Sequence, residues 1–129
     1  MGDPNGIGPE IVVKSLADPV VYEQCRPLVI GDAWCLARAL DFCRINLYIH
    51  TVSQPGEGLY KPGFLNLADL AHADLGDLVP GTVQAMAGQC AMDYIREAVR
   101  LANAGLIDAL ATTPINKESL HAARVPFIG

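Results

Sequence analysis

The sequence lacks any apolar run long enough to cross a bilayer, and its first residues contain no basic segment followed by an apolar one. We therefore expect neither a membrane helix nor a secretion signal, and we predict a cytoplasmic location. Hydrophobic residues make up 51% of the 129 residues and charged residues 18%, a balance typical of a globular domain. A chain of this length forms at most one ordinary domain, which buries roughly two thirds of its unfolded surface.

Basic residues are few and scattered. Nine Lys and Arg residues stand against 14 Asp and Glu residues, which gives a formal net charge of −5. This argues against nucleic acid as a partner, because binding a polyphosphate depends on clustered basic side chains. A small anionic substrate is compatible with the same charge, since a few local donors suffice to hold it.

Metal and redox motifs are also missing. No two cysteines have the two-residue spacing of a zinc or redox motif, which predicts reduced, buried thiols. The histidines are too far apart in sequence to predict a metal cluster, and we assign no metal ligand. The residues concerned are Cys25, Cys35, Cys43, Cys90, His50, His72 and His121.

The glycines near the start of the sequence match no common nucleotide motif. Gly2, Gly6 and Gly8 follow neither the dinucleotide fingerprint nor the Walker loop. They predict a tight loop that leads into a helix, whose first N–H groups suit a phosphate or a carboxylate. Asp3 and Asn5 in this loop either hydrogen-bond a ligand or bond their own backbone as turn residues.

Alternating helix and strand patterns predict a layered α/β sheet with crossover connections. The predicted strands are 27–32, 46–52 and 106–112, with a further short strand at 64–67, and the predicted helices are 9–18, 33–43, 82–104 and 116–123. Residues 68–80 lack a firm period and are interpreted as a loop.

Single residues within these elements have simpler predicted roles. Ile11, Val12 and Leu16 are predicted to line the inner side of the first helix. Asp32 is predicted to cap the second helix, and His72 is expected to be solvated. The small residues of the long helix allow close approach of a neighbouring element, and core packing explains them better than an interface with a partner.

Ligands in open α/β sheets bind beyond the carboxyl ends of the strands, which selects the loops 2–8, 31–32 and 112–117. The last loop is the most polar, because Thr112, Thr113, Asn116 and Lys117 place two hydroxyls, an amide and an ammonium where a predicted strand leads into a helix. This set is able to grip a phosphate through backbone donors and a point charge. In the simpler alternative, Asn116 caps the helix and Lys117 is solvated.

Three blocks of sequence carry a family resemblance. They are Met1-Gly2-Asp3-Pro4-Asn5-Gly6-Ile7-Gly8-Pro9-Glu10-Ile11, Ala111-Thr112-Thr113-Pro114-Ile115-Asn116-Lys117 and Val125-Pro126-Phe127-Ile128-Gly129. In this order they resemble the 4-hydroxythreonine-4-phosphate dehydrogenase family of vitamin B6 biosynthesis. The segment 6–10 is also similar to the isopropylmalate and isocitrate dehydrogenases, whose two-domain architecture this family resembles.

The resemblance implies an NAD-dependent oxidation of the secondary alcohol of 4-phosphohydroxy-L-threonine. The β-keto acid then loses CO₂ to leave 3-amino-2-oxopropyl phosphate. A divalent metal ion held by histidines assists in this family, and those histidines are expected outside residues 1–129. By the same resemblance Lys117 is a catalytic residue, the substrate-binding residues are Thr112, Thr113 and Asn116, and the cofactor-binding residues are Asp3, Asn5, Gly6 and Gly8. The full-length family members form homodimers.

Residues 1–129 are far fewer than the family has. We therefore expect a single incomplete α/β unit, the N-terminal part of a larger two-domain dehydrogenase. The family has a strand before the Met-Gly-Asp-Pro loop and a His-Thr-Glu sequence after Val-Pro-Phe-Ile-Gly. Without them, the sheet is expected to expose a paired edge or an apolar slot, and the 129 residues alone are expected to be inactive and of marginal solubility.

Other functions remain open from the sequence. Relatives of this family oxidise D-threonate or D-erythronate 4-phosphate, and the residues do not separate these substrates. A non-catalytic module that binds a small anion, or a purely structural piece, is the alternative from another class. All the functional interpretations depend on one prediction, which is that the loop 2–8 and the segment 112–117 meet at one rim of the sheet.

Overall fold

The computed structural model describes residues 1–72 and 75–126. Its helices are α1 (Gly8–Leu16), α2 (Val20–Gln24), α3 (Ala33–Cys43), α4 (Ala85–Asn103) and α5 (Lys117–Ala122), and its strands are β1 (Leu28–Gly31), β2 (Tyr48–Thr51) and β3 (Phe64–Asp69). Short 3₁₀ turns occupy Pro55–Glu57 and Leu75–Asp77. No described helix is both long and apolar enough to cross a membrane. The third block of the family resemblance lies partly outside the described residues, because it includes 127–129.

The three strands form a parallel sheet in the order β1-β3-β2. Val29 of β1 and Thr51 of β2 both lie opposite Leu67 of β3, and the side chains of Leu65 and Leu67 are completely buried. The short strand predicted at 64–67 is therefore the centre of the sheet, and it continues to Asp69. The predicted layered α/β fold is confirmed.

Helices cover both faces of this sheet. On one face α1 and α3 bury a cluster of apolar side chains against β1 and β3, formed by Val13, Leu16, Val29, Leu36, Ala39, Leu65 and Leu67. On the other face α4 buries Tyr94, Ala98 and Leu101 against Ile30 and Cys35. Each fully buried large apolar side chain contributes about 1.5–3 kcal/mol, so these two layers hold the sheet together.

The inner side of α1 differs from the prediction at one position. The helix buries Pro9, Val13 and Leu16, which are spaced four and three residues apart and therefore form one stripe. Ile11 is 36% exposed, because it lies about 160° around the helix from Val13 rather than on this stripe. The prediction for Leu16 is confirmed, and that for Ile11 is wrong.

The small residues of α4 allow α5 to pack closely against it. A Cβ atom built on Gly88 would overlap the backbone carbonyl of Ser119, so only glycine fits at this crossing. Ala87 and Ala91 are buried on the same helix. The prediction that these small residues serve packing is confirmed.

The predicted strand at 106–112 is wrong. Leu106 and Leu110 are each 47% exposed, and no strand forms there in the part of the chain that the structure describes. A cavity of about 220 Å³ separates this segment from β1, with Leu28 and Ile30 on one side and Leu110 on the other. Neighbouring strands must lie about 4.8 Å apart to hydrogen-bond, so an apolar run without a partner at that distance stays irregular.

Candidate functional site

The loop at residues 2–8 and the segment 112–117 meet at one rim of the molecule. The backbone N–H of Asp3 donates to the carbonyl of Pro114 at 3.2 Å. The hydroxyl of Thr113 donates to the carbonyl of Met1, and this bond joins residues 112 positions apart. The central prediction of the sequence analysis, that these two segments converge, is confirmed.

Glycine is required where the two segments touch. Gly2 has φ of +73°, and a Cβ atom there would lie 2.5 Å from the carbonyl oxygen of Pro114. A Cβ atom on Gly8 would overlap the carbonyl of Met1. Glycine at these two positions thus allows other segments of the chain to pack directly against the loop. Gly6 is exposed, and a Cβ atom there would make only ordinary contacts with Asp3, the nearest at 3.5 Å.

A cleft of about 430 Å³ opens between the two segments. This volume is in the range of sites for small ligands. Its lining residues are Asp3, Gly6, Ile7, Pro114, Ile115, Asn116, Lys117 and Glu118. Four of the residues assigned from the family resemblance therefore face one cleft: Asp3, Gly6, Asn116 and Lys117.

Two buried polar side chains stand behind the glycine loop. Asp3 is 2% exposed and Asn5 is 4% exposed. Oδ1 of Asp3 accepts from the backbone N–H of Asn5 at 2.7 Å, whereas Oδ2 of Asp3 has no partner. Nδ2 of Asn5 donates to Gln84 and to the carbonyl of Thr82, which leaves Oδ1 of Asn5 without a partner. An unmade hydrogen bond of a buried group costs about 1–3 kcal/mol, so both oxygens need an explanation.

The loop is also fixed from α3. The guanidinium of Arg38 donates to the carbonyl of Pro4 at 3.3 Å and to that of Leu78 at 3.4 Å, and it stacks over Trp34 at 4.6 Å. One side chain thus holds together the glycine loop and the segment before α4. The cleft wall is therefore built on contacts with the helical layer.

The polar residues of the second segment divide into two groups. Oδ1 of Asn116 accepts from the backbone N–H groups of Glu118 and Ser119, so the capping role of Asn116 is confirmed. These two N–H groups were expected to bind a phosphate, and the Asn116 side chain occupies them instead. Thr113 uses its hydroxyl to hold the glycine loop. Thr112 lies outside the cleft, beside the cavity next to β1. Lys117 is exposed and places positive charge at the cleft.

A second polar cluster lies at the carboxyl end of β1, and the sequence analysis missed it. Asp32 is fully buried, and its carboxylate accepts from the hydroxyl of Tyr94 at 2.5 Å. It also accepts from the backbone N–H of His72 and pairs with Nδ1 of that ring, both at 2.7 Å. Nε2 of His72 lies 3.3 Å from a carboxylate oxygen of Asp93. The prediction for Asp32 is confirmed in position, because Asp32 is the N-cap residue of α3, but its side chain makes no capping hydrogen bond. The prediction that His72 is solvated is wrong, because the residue is half-buried in this network.

Burial and hydrogen bonding act in opposite directions on this cluster. Burial alone lowers the pKa of His72, but the hydrogen bonds to Asp32 and Asp93 outweigh it and raise this pKa above its usual value. Burial would raise the pKa of Asp93, yet hydrogen bonds from Gln89 and His72 lower it overall. Both shifts favour a protonated imidazole between two carboxylates.

This cluster does not fit a metal ion, although atoms of Asp32, His72 and Cys90 lie within 4.8 Å of one another. Ligand atoms around zinc are about 3.3 Å apart, whereas Nδ1 of His72 lies 2.7 Å from Oδ2 of Asp32, a hydrogen-bond distance. Burial raises the pKa of Cys90 to about 11, so its thiol keeps its proton at neutral pH. The cluster is therefore a hydrogen-bonded network of Asp32, His72, Tyr94 and Asp93.

The cysteines follow the sequence prediction in part. All four are free thiols. Cys35 and Cys90 are buried and Cys43 is half-buried, whereas Cys25 is exposed, which the prediction of buried thiols missed. Burial raises the pKa of Cys35 to about 12, so this thiol is unreactive at neutral pH.

Comparisons with known proteins agree with this arrangement. The family described as "Pyridoxal phosphate biosynthetic protein PdxA" matches residues 23–129. A protein of Clostridium botulinum with the provisional name D-threonate 4-phosphate dehydrogenase is 48% identical over all 129 residues, which cover 39% of its length. A Symbiobacterium thermophilum protein with the same provisional name is 50% identical over 129 residues, 38% of its length.

Solved structures give the same result. The crystal structure of a 4-hydroxythreonine-4-phosphate dehydrogenase from Burkholderia phymatum superposes on the whole chain with a TM-score of 0.95 at 46% identity. The corresponding protein from Klebsiella pneumoniae gives 0.93 at 40% identity. The chain covers 39% of each of these two structures, so it corresponds to part of such a protein.

Proposed function

Because the chain belongs to the PdxA family of pyridoxal phosphate biosynthetic proteins, we propose that it forms one wall of the active site of a dehydrogenase. The complete enzyme oxidises the secondary alcohol of a phosphorylated hydroxy acid with NAD. Its location is the cytoplasm, and its working form is a homodimer. The observation that supports this proposal is the junction of the glycine loop with the segment 112–117 around one cleft.

The residues of the cleft suit the two ends of such a substrate. Lys117 supplies positive charge for the phosphate or carboxylate and stabilises negative charge on the substrate during the reaction. Asp3, Asn5, Gly6 and Gly8 belong to the wall that faces NAD, and the buried acceptor oxygens of this wall suit hydroxyl groups. Thr113 and Asn116 position the segment that carries the lysine, whereas Thr112 lies outside the cleft and is given no contact with substrate there.

NAD supplies the hydride acceptor, and the chain's own part is to orient the two reactants. The described residues contain no metal-ligand set with suitable geometry, because the Asp32 cluster is spaced for hydrogen bonds. We therefore place the metal ligands in the part of the protein outside residues 1–129 and assign no step of the reaction to a metal here.

Two substrates are compatible with this site. The first is 4-phosphohydroxy-L-threonine, oxidised and then decarboxylated to 3-amino-2-oxopropyl phosphate, after the names of the structural relatives. The second is D-threonate 4-phosphate, favoured by the provisional names of the sequence relatives at 48% and 50% identity. The two differ at the amino or hydroxyl group beside the carboxylate, so direct comparison separates them.

The test is NADH formation by the full-length protein with a divalent metal ion and each substrate in turn. We expect turnover with one of the two and a decrease of about 100-fold or more in kcat/KM for Lys117→Met, since a charge-assisted hydrogen bond to the transition state is worth about 3 kcal/mol. Lys14→Met, at an exposed position on α1, is the control and should change nothing. Saturable binding without turnover would favour the non-catalytic alternative. The 129 residues alone should give no NADH.

A further inference from the structure

The wall of the cleft formed by Asp3 presents a hydrogen-bond acceptor that the protein itself leaves unused. Oδ2 of Asp3 has no partner although the residue is 2% exposed, and the residue lines the cleft. Its other oxygen is occupied by the backbone N–H of Asn5. Rotation of the carboxylate cannot satisfy both oxygens, because the backbone N–H of Asn5 supplies one donor and leaves the other oxygen buried without a partner.

The orientation of the Asn5 amide supports the same conclusion. Both neighbours of its Nδ2, the carbonyl of Thr82 and Oε1 of Gln84, are acceptors within this network. Gln84 Oε1 already accepts from the backbone N–H of Val79, while its Nε2 donates to Asp77. The amide of Asn5 cannot be reversed without placing acceptor against acceptor. Its buried Oδ1 is thus a second unused acceptor in the same loop.

These oxygens determine which part of a ligand fits here. A buried carboxylate repels phosphate and attracts hydroxyl or ammonium groups. The N-terminus of α1 stands beside this loop, but an anion placed there would meet the Asp3 charge. The positive charge of Lys117 lies on the other segment of the same cleft. The cleft therefore has an acceptor at Asp3 on one side and, on the other, the cation of Lys117 next to Glu118.

We infer that the Asp3 side of the cleft binds a hydroxyl- or ammonium-bearing part of the ligand and excludes its phosphate, which lies on the Lys117 side. This inference rests on the proposed function and makes Asp3 a specificity-determining residue of that site. Two ligands supply such donors: the ribose hydroxyls of NAD, and the hydroxyl or amino group of the phosphorylated substrate.

The test uses Asp3→Asn in the full-length protein. Oδ1 of the new amide keeps its bond to the backbone, so the amide nitrogen replaces the unused acceptor with a donor. The matched control is Asp18→Asn, because Oδ1 of Asp18 accepts from the backbone N–H of Val20 in the same way, at an exposed site away from the cleft. Calorimetric Kd values for NAD and for the substrate are measured alongside the KM values and the melting temperature.

We expect Asp3→Asn to weaken binding of one of the two ligands by about 10- to 100-fold, which corresponds to the removal of one charged hydrogen bond, and Asp18→Asn to stay within twofold. Weakened NAD binding identifies the ribose as the donor, and weakened substrate binding identifies the substrate. Analogues of NAD and substrate without the relevant hydroxyl should bind the unmodified protein as weakly as the natural ligand binds Asp3→Asn. The affinity of these analogues should not fall further in the Asp3→Asn variant. This second comparison holds even if the variant is less stable.

Unchanged or tighter binding of both ligands by Asp3→Asn, or full affinity of the deoxy analogues for the unmodified protein, overturns the inference. So does failure of the unmodified protein to bind either ligand. Absence of NADH formation with intact binding contradicts the proposed dehydrogenase function alone, so the two failures are distinguishable.

Discussion

Replacing Tyr94 by Phe tests whether the buried network around Asp32 holds α4 to the sheet. The hydroxyl of Tyr94, a residue 2% exposed, donates to the carboxylate of Asp32 at 2.5 Å, and this bond joins residues 62 positions apart. The ring packs in the apolar cluster between α4 and β1, and Phe preserves those contacts. The substitution therefore removes one charge-assisted hydrogen bond and little else.

The expected loss of stability follows from the burial of the acceptor. A hydrogen bond to a charged group contributes about 1.5–3 kcal/mol, and Asp32 has no access to solvent that could replace the hydroxyl because it is fully buried. At roughly 3–5 °C per kcal/mol for a domain of this size, the melting temperature should fall by about 5–15 °C. Two bonds from His72 to Asp32 remain, so the fold itself should survive.

The assay is urea unfolding followed by circular dichroism, with Tyr60→Phe as the control. The hydroxyl of Tyr60 donates at 2.6 Å to the neutral carbonyl of Pro55 at a half-buried site, so its removal should cost only about 0.5–1.5 kcal/mol. A decrease of unfolding free energy for Tyr94→Phe no larger than that for Tyr60→Phe would refute the argument that this buried carboxylate depends on its partners.

Three further predictions concern other parts of the chain. The pKa of His72 is raised on folding, so its contribution to the unfolding free energy is complete below about pH 6.5 and is lost as the pH rises through the higher folded value. His72→Gln should therefore flatten the pH dependence of the unfolding free energy above about pH 6.5. Gly88→Ala should destabilise the protein by about 1–3 kcal/mol despite the better helix propensity of alanine, because the new methyl group meets the carbonyl of Ser119; a stabilised variant in thermal unfolding would contradict this contact. Asn116→Ala should cost about 1 kcal/mol in the same measurement through loss of the α5 cap, and Asn116→Asp, which keeps the acceptor, should restore most of it.

Local chemistry made much of this fold predictable. The run Leu28–Gly31 is apolar throughout, as expected of a strand buried on both faces. The junction of the glycine loop with the segment 112–117 was predicted from the rule that strand ends share one edge. In the structure no described strand leads directly into residue 112, and the junction is made by hydrogen bonds from Asp3 and Thr113. The strand predicted at 106–112 was wrong because a strand also needs a neighbour, which its own sequence does not reveal. The cluster of Asp32, His72 and Tyr94 was missed for a related reason: its members are 40 and 62 residues apart, so no spacing rule connects them.

The buried polar atoms of the glycine loop link stability to function. Two of the four buried side-chain atoms without a partner among the described residues belong to Asp3 and Asn5. Each lowers the stability of the ligand-free protein by about 1–3 kcal/mol, a cost that packing elsewhere must offset. A ligand that donates a hydrogen bond to Oδ2 of Asp3, which lines the cleft, recovers part of this cost as binding free energy. Such a ligand therefore binds more tightly and stabilises the protein more at a given concentration. An anion that contacts only Lys117 recovers none of this energy. The unused acceptor of Asp3 therefore favours ligands that carry a donor group on this side of the cleft.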